Sequence, residues 1–142
     1  MFLEQIVKEK GGQVYSVAES ATLKECADLL ETRKVGAMVI LNEAGSLIGV
    51  ISERDIVRNI AKSGAAALVC TVGQVMTRQV VTARPRDTVE SAMARMTDRR
   101  IRHLPVVDGG RLVGVVSIGD LVKWRLADAA AEVEAIRSYI QP

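Results

Sequence analysis

A chain of 142 residues, about half of them apolar, suits one compact domain or two small units; with only four aromatic residues, its core must be built from Val, Ile, Leu, Ala and Met. A net charge of +2 is too slight to argue for a nucleic-acid or membrane surface on electrostatics alone, neither partner is expected, and no apolar run approaches the ~20 residues that span a bilayer. Two cysteines, Cys26 and Cys70, make neither a disulfide framework nor a metal cluster and read as small buried thiols in a reducing compartment.

The opening "MFLEQIVKEKGG" is charged at Glu4, Lys8, Glu9 and Lys10 and lacks the apolar centre of a signal peptide, so residues 1–12 are expected to form an N-terminal helix of a soluble, cytoplasmic protein. A first strand is expected from Gln13 to Tyr15. Thr22 and Glu25 then offer a capping box, and Leu23, Cys26, Ala27 and Leu30 carry the i, i+3, i+4, i+7 spacing of one buried helix face. Two apolar runs, Ala37 to Leu41 and Leu47 to Ile51, flank the turn "NEAG" and predict a hairpin. A second helix starts near Asp55 with Ile56, Val57 and Ile60 as its apolar residues. Residues 63–78 form a linker with a short helix near Val72 to Met76.

From Gln79 the pattern is written again. A strand is expected from Gln79 to Val81, a cap from Asp87 with Glu90, and a helix face from Val89, Ala92, Met93 and Met96. The hairpin recurs as Leu104 to Val107 and Leu112 to Val116 around "DGG", and a helix near Asp120 carries Leu121, Val122 and Trp124. Residues 127–142 form an Ala/Glu-rich C-terminal helix with Ala130, Val133 and Ile136 on one side. The duplication predicts an α+β fold of two βαββα repeats, 13–62 and 79–126, each too small to be comfortable alone. Their sheets are expected to pack together with quasi-two-fold symmetry, with helices outside.

The most distinctive repeated string is "GVISERD", Gly49 to Asp55, which returns as "GVVSIGD", Gly114 to Asp120. Ser-x-x-Asp at the end of a strand supports two readings. Ser52 and Ser117, or Asp55 and Asp120, cap the following helix. Alternatively, the helix N-terminus and the Ser hydroxyl meet a phosphate while the Asp carboxylate accepts from the hydroxyls of a ribose. Duplication in matched surroundings favours a ligand role at one or both positions. In "RIRHLP", Arg102 and His103 precede the second inner strand, where Arg fits a phosphate clamp. A solvated basic run from Arg99 to His103 is the alternative.

These residues, with "IRHLPVVDGG" and "VVTARPRDTVESAM", resemble a tandem pair of cystathionine-β-synthase-type (CBS) domains, a Bateman module, over roughly Gln13 to Arg125. The resemblance implies a regulatory module, in a familiar stand-alone bacterial form, that binds an adenosyl ligand such as AMP, ADP, ATP, NAD or S-adenosylmethionine in clefts between the repeats. It implies that one cleft joins Gln13, Val14, Tyr15, Val35 and Gly36 to Arg102, His103, Val115, Ser117, Gly119 and Asp120. The other joins Gln79, Val80, Val81 and Ile101 to Gly36, Ala37, Val50, Ser52, Arg54 and Asp55. The adenine is expected at Gln13 to Tyr15 and at Gln79 to Val81.

Catalysis is not expected: the sequence holds no Ser/His/acid set, metal constellation or Gly-x-Gly-x-x-Gly fingerprint, and no catalytic cofactor is called for. A homodimer is expected, with a downstream protein partner that the sequence does not identify. The competing reading is a ligand-independent dimerising adaptor. Arg102 and His103 stand where the first repeat has Gly36 and Ala37, so the Asp120 site is expected to suit AMP and the roomier Asp55 site NAD or ATP.

Overall fold

The computed structural model describes residues 1–140. The chain divides into two compact units, and the division does not follow the two repeats alone. One unit is Gln13–Val81 with the turn Gly109–Leu112; the other gathers Met1–Gly12, Thr82–Asp108 and the chain from Val113 onward. The N-terminal segment therefore belongs with the second repeat, and the linker between the repeats belongs with the first.

In the first-repeat unit, helix α2 (Leu23–Arg33) is followed by strands β1 (Ala37–Leu41) and β2 (Leu47–Ser52), helix α3 (Glu53–Ser63), a 3-10 turn (Gly64–Val69) and the four-residue α4 (Val72–Val75). In the other unit, α1 (Leu3–Glu9) precedes α5 (Val89–Arg99), β3 (His103–Asp108), β4 (Arg111–Ser117) and α6 (Ile118–Ile140). Both hairpins form antiparallel pairs, β1 with β2 and β3 with β4, and the first runs from Ala37 opposite Ser52 to Leu41 opposite Leu47.

The helix faces read from the sequence are buried except at Ala27 and Met93, which are half-buried. Leu23, Cys26 and Leu30 of α2 pack with Met38, Ile40, Ile51, Val72 and Met76 in one core, and Val89, Ala92 and Met96 of α5 are buried in the other unit. Burial in that apolar core pushes the Cys26 thiol up to about 11, so it is neutral at physiological pH. Thr22 caps α2, accepting from the Glu25 N–H at 3.1 Å. The cap expected at Asp87 is displaced by one residue: Thr88 caps α5 through the Ser91 N–H at 3.1 Å. Asp87 is drawn instead to the Arg84 N–H at 2.9 Å and to Arg95 at 3.3 Å.

Three further expectations change. The leading strand of each repeat shortens to a single bridge, Ser16 with Val39 and Ala83 with Val106. Turns closed by Ala21 N–H on Ala18 and by Asp87 N–H on Arg84 carry the chain away within a few residues, and Pro105 has no N–H to extend the second ladder. Gln13 to Tyr15 and Gln79 to Val81 accordingly precede these bridges without forming strands. Only the first member of each apolar trio on the second helices is buried, Ile56 and Leu121; Val57 and Val122 lie about 100° around the helix and are exposed. Finally, no separate C-terminal helix begins at 127, because "RLADAAAEV" contains strong helix formers and no Gly or Pro, so α6 continues unbroken for 23 residues.

The short helices α1 and α4 enter their units by matching bonds. Leu3 and Glu4 N–H donate to Asp87 and Pro85 carbonyls, as Val72 and Gly73 N–H donate to Ala21 and Glu19. Met1 accepts from Val89 N–H as Cys70 accepts from Leu23 N–H. Val7 of α1 and Met76, the residue that closes α4, then press on the glycine of the Gly-Val-x-Ser strand in their unit. A Cβ at Gly114 would stand 2.6 Å from Val7 Cγ1, and one at Gly49 would stand 2.5 Å from Met76 Sδ. The glycine that opens the repeated string is thus a packing requirement, because the strand accepts a helix against its backbone.

Candidate functional site

Each repeated Ser-x-x-Asp lies at a strand-to-helix junction, as its position after an apolar run predicts. At the end of β2, Ser52 N–H donates to Asp55 Oδ2 at 2.8 Å, Ser52 Oγ–H donates to the same oxygen at 3.0 Å, and Asp55 N–H donates back to Ser52 Oγ at 3.3 Å. At the end of β4, Ser117 N–H donates to Asp120 Oδ2 at 2.8 Å and Asp120 N–H to Ser117 Oγ at 3.1 Å. Both motifs are capping boxes with the acid at the third helical position. Both carboxylates are half-buried, and each accepts on Oδ2, Asp55 from the N–H and hydroxyl of Ser52 and Asp120 from the Ser117 N–H and Lys10.

A matching main-chain bond ties each junction to the segment before the inner strand. Glu53 N–H donates to Gly36 O at 3.0 Å, and Ile118 N–H donates to Arg102 O at 2.8 Å. Gly36 and Ala37 are thereby brought beside Ser52 and Asp55, and Arg102 and His103 beside Ser117 and Asp120. Arg102 is exposed and no carboxylate among the described residues pairs with it, while His103 at the start of β3 is half-buried. Arg54 and Gly119 are exposed in the first turns of α3 and α6; Val35, Ile101, Val50 and Val115 are half-buried along the same stretches. Lys34 and Arg100, one residue before Val35 and Ile101, both take a left-handed φ of 55° that closes the preceding helix.

The pre-bridge segments are less uniform. Gln13 and Gln79 are exposed, and Val14, Tyr15, Val80 and Val81 are half-buried. Tyr15 packs its ring 5.0 Å from the Arg33 guanidinium and accepts the Val39 N–H at 3.3 Å, so its carbonyl already serves the ladder.

Sequence reasoning missed Lys10. Its Nζ donates to Asp120 Oδ2 at 2.8 Å and to Val115 O at 2.9 Å. Burial pushes the Asp120 carboxyl up, but the Lys10 hydrogen bond, the Ser117 N–H and the Lys10 charge outweigh it, and the group sits below the ordinary aspartate range. Setting residues 1–12 outside the repeats concealed this contact. Aligning "IVKEKGG" with the linker stretch "QVMTR", rather than with nothing, would have brought it out.

Two junctions of this construction, in two copies of one α+β repeat, define a tandem module of the CBS type. The CBS domain family model matches residues 7–62 and 72–127, and the chain belongs to that family. It is 33% identical over 147 residues to the CBS domain-containing protein CBSX3, mitochondrial, of Arabidopsis thaliana, covering 98% of this chain and 71% of that protein. The crystal structure of the CBS-domain containing protein ATU1752 from Agrobacterium tumefaciens superposes with a TM-score of 0.85 at 39% identity, over 87% of this chain and 92% of the other. The CBS domain pair of protein MJ0100, solved in complex with 5′-methylthioadenosine and S-adenosyl-L-methionine, is similar at a TM-score of 0.77 and 26% identity, over 90% of this chain and 98% of that one. Among the described residues no helix is long and apolar enough to cross a membrane.

Proposed function

We propose that this protein is a cytoplasmic regulatory binder of an adenosine-containing nucleotide, without catalytic activity of its own. The observation that carries the proposal is the pair of half-buried carboxylates, Asp55 and Asp120, each at a strand-to-helix junction and each bonded by its serine through Oδ2. A ribose hydroxyl donating to Oδ1 gains a charge-assisted bond without displacing the cap. Ser52 and Ser117 with the first turns of α3 and α6 would face the phosphate. Arg102 supplies a cation beside Asp120, which suits AMP. Gly36 and Ala37 leave more room beside Asp55, where Arg54 would meet the phosphates of NAD or ATP. The adenosyl ligands named for MJ0100 support the ligand class.

The reading includes a homodimer whose geometry responds to the ligand. Leu126, Val133, Ile136 and Ile140 of α6 are all more than half exposed, a stripe that a second subunit would cover. The completeness of both Ser-Asp caps favours the second reading, an adaptor that dimerises without any ligand.

Thermal unfolding of the dimer, its mass checked by light scattering, separates the two. AMP, ATP, NAD or S-adenosylmethionine at 100 times its dissociation constant should add about 2.7 kcal/mol of apparent stability. A dimer whose melting responds to none of the four contradicts the sensor and supports the adaptor.

A further inference from the structure

We infer that Lys10 is a ligand-reading residue of the Asp120 junction and makes that junction selective for an intact ribose diol. This rests on the proposed adenosine-binding role of Asp120. The two units enter their strands alike up to Val7 and Met76, which press on Gly114 and Gly49, and meet again where Val17 and Ala83 N–H donate to Val39 and Pro105 carbonyls. The intervening paths differ: Val7 to Val17 takes ten steps, and Met76 to Ala83 takes seven. In the shorter path, Thr77 exchanges both main-chain bonds with Val50, at 3.1 and 2.9 Å. In the longer path, Gly11 and Gly12 turn through positive φ of 82° and 66°, and a side chain, Lys10, reaches the Val115 carbonyl. The three extra residues replace a neutral backbone contact with an ammonium seated on Asp120.

An ammonium has three N–H donors. Two are taken by Asp120 Oδ2 and Val115 O, and the third remains for a neighbouring acceptor. A vicinal diol fits this pair: one hydroxyl donates to Asp120 Oδ1 while the other accepts from Lys10. Keeping Lys10 in place is cheaper than evicting it, because its bond to the carboxylate is charge-assisted and both hydroxyls can be satisfied without breaking it. Among the described residues no cation pairs with Asp55, whose Oδ2 accepts from the N–H and hydroxyl of Ser52.

The test is calorimetric titration of AMP, 2′-deoxyAMP and 3′-deoxyAMP into the Asp55→Ala protein, with and without Lys10→Met. Lys10→Gln, which keeps a donor but no charge, serves as a second variant, and melting curves verify folding. Lys10→Met should weaken AMP about 10-fold, about 1.4 kcal/mol. The penalty for deleting one of the two hydroxyls should shrink by a similar factor in that variant. AMP binding that is unchanged in both variants overturns the inference, as does tighter binding, which would make Lys10 a block rather than a reader. If AMP, NAD and S-adenosylmethionine all fail to bind the protein carrying Lys10, the proposed function falls and this inference with it. Binding that ignores Lys10 removes the inference alone.

Discussion

The Asp55 and Asp120 junctions share a backbone and differ in charge. Each has a serine cap, an acid at the third helical position, a glycine under a short helix and a main-chain bond to the segment before the inner strand. Around Asp55 the neighbours are Gly36 and Ala37, and Val50 is bridged to the main chain at Thr77. Around Asp120 they are Arg102 and His103, with Lys10 bonded to the acid itself. The repeated parts build the junction, and the parts that differ set the electrostatics a ligand would meet. One backbone device is thus built twice in unlike electrostatic surroundings.

The largest structural contrast concerns the glycines. Gly114 faces Val7, whose β-branched side chain has few rotamers, whereas Gly49 faces the flexible thioether of Met76. Gly114→Ala should destabilise the protein by about 1–3 kcal/mol, the range for overpacking, and Gly49→Ala by less. Urea unfolding midpoints check this, and equal losses would show that the two short helices yield alike.

A smaller contrast lies in pH dependence. The native Asp120 carboxyl sits below its ordinary range because the Lys10 and Ser117 contacts outweigh burial. A depressed carboxylate contributes stability above the unfolded pKa, about 3.9, and loses it as pH falls through the native value. Lys10→Met should therefore lower stability near neutral pH by about 0.2–1 kcal/mol, typical of a partly exposed pair. That deficit should disappear in strong acid, as measured by denaturant titrations across the acid range; a deficit constant with pH would assign it to packing of the lysine stem.

Much of this was legible in the sequence, because periodicity reports burial directly. Leu23, Cys26 and Leu30, their partners Val89, Ala92 and Met96, and both hairpins stand where the apolar pattern puts them. The leading strands were not legible as single bridges, since their shortness depends on the turns after Val17 and Ala83 and on Pro105 in the partner strand. The continuity of α6 was readable in principle from the missing stop signal at Leu126 and Ala127. Lys10 was readable only by aligning residues 6–12 with the linker, because its contact depends on which unit the N-terminal segment joins, a tertiary fact that local patterns do not carry. At the junctions, the spacing of Ser52 with Asp55 and of Ser117 with Asp120 left a helix cap and a ligand contact as alternatives, and the structure contains the cap.

The most direct measurement is AMP titration by calorimetry into the unmodified protein, Asp120→Ala and Asp55→Ala, with circular dichroism verifying that each remains folded. Asp120→Ala should weaken the tight AMP site by about 1.5–3 kcal/mol, roughly 10- to 150-fold, the range for hydrogen bonds to a charged group. Asp55→Ala should leave that site in place. Unchanged AMP affinity in a folded Asp120→Ala protein would return Asp120 to the role of a helix cap and contradict the account.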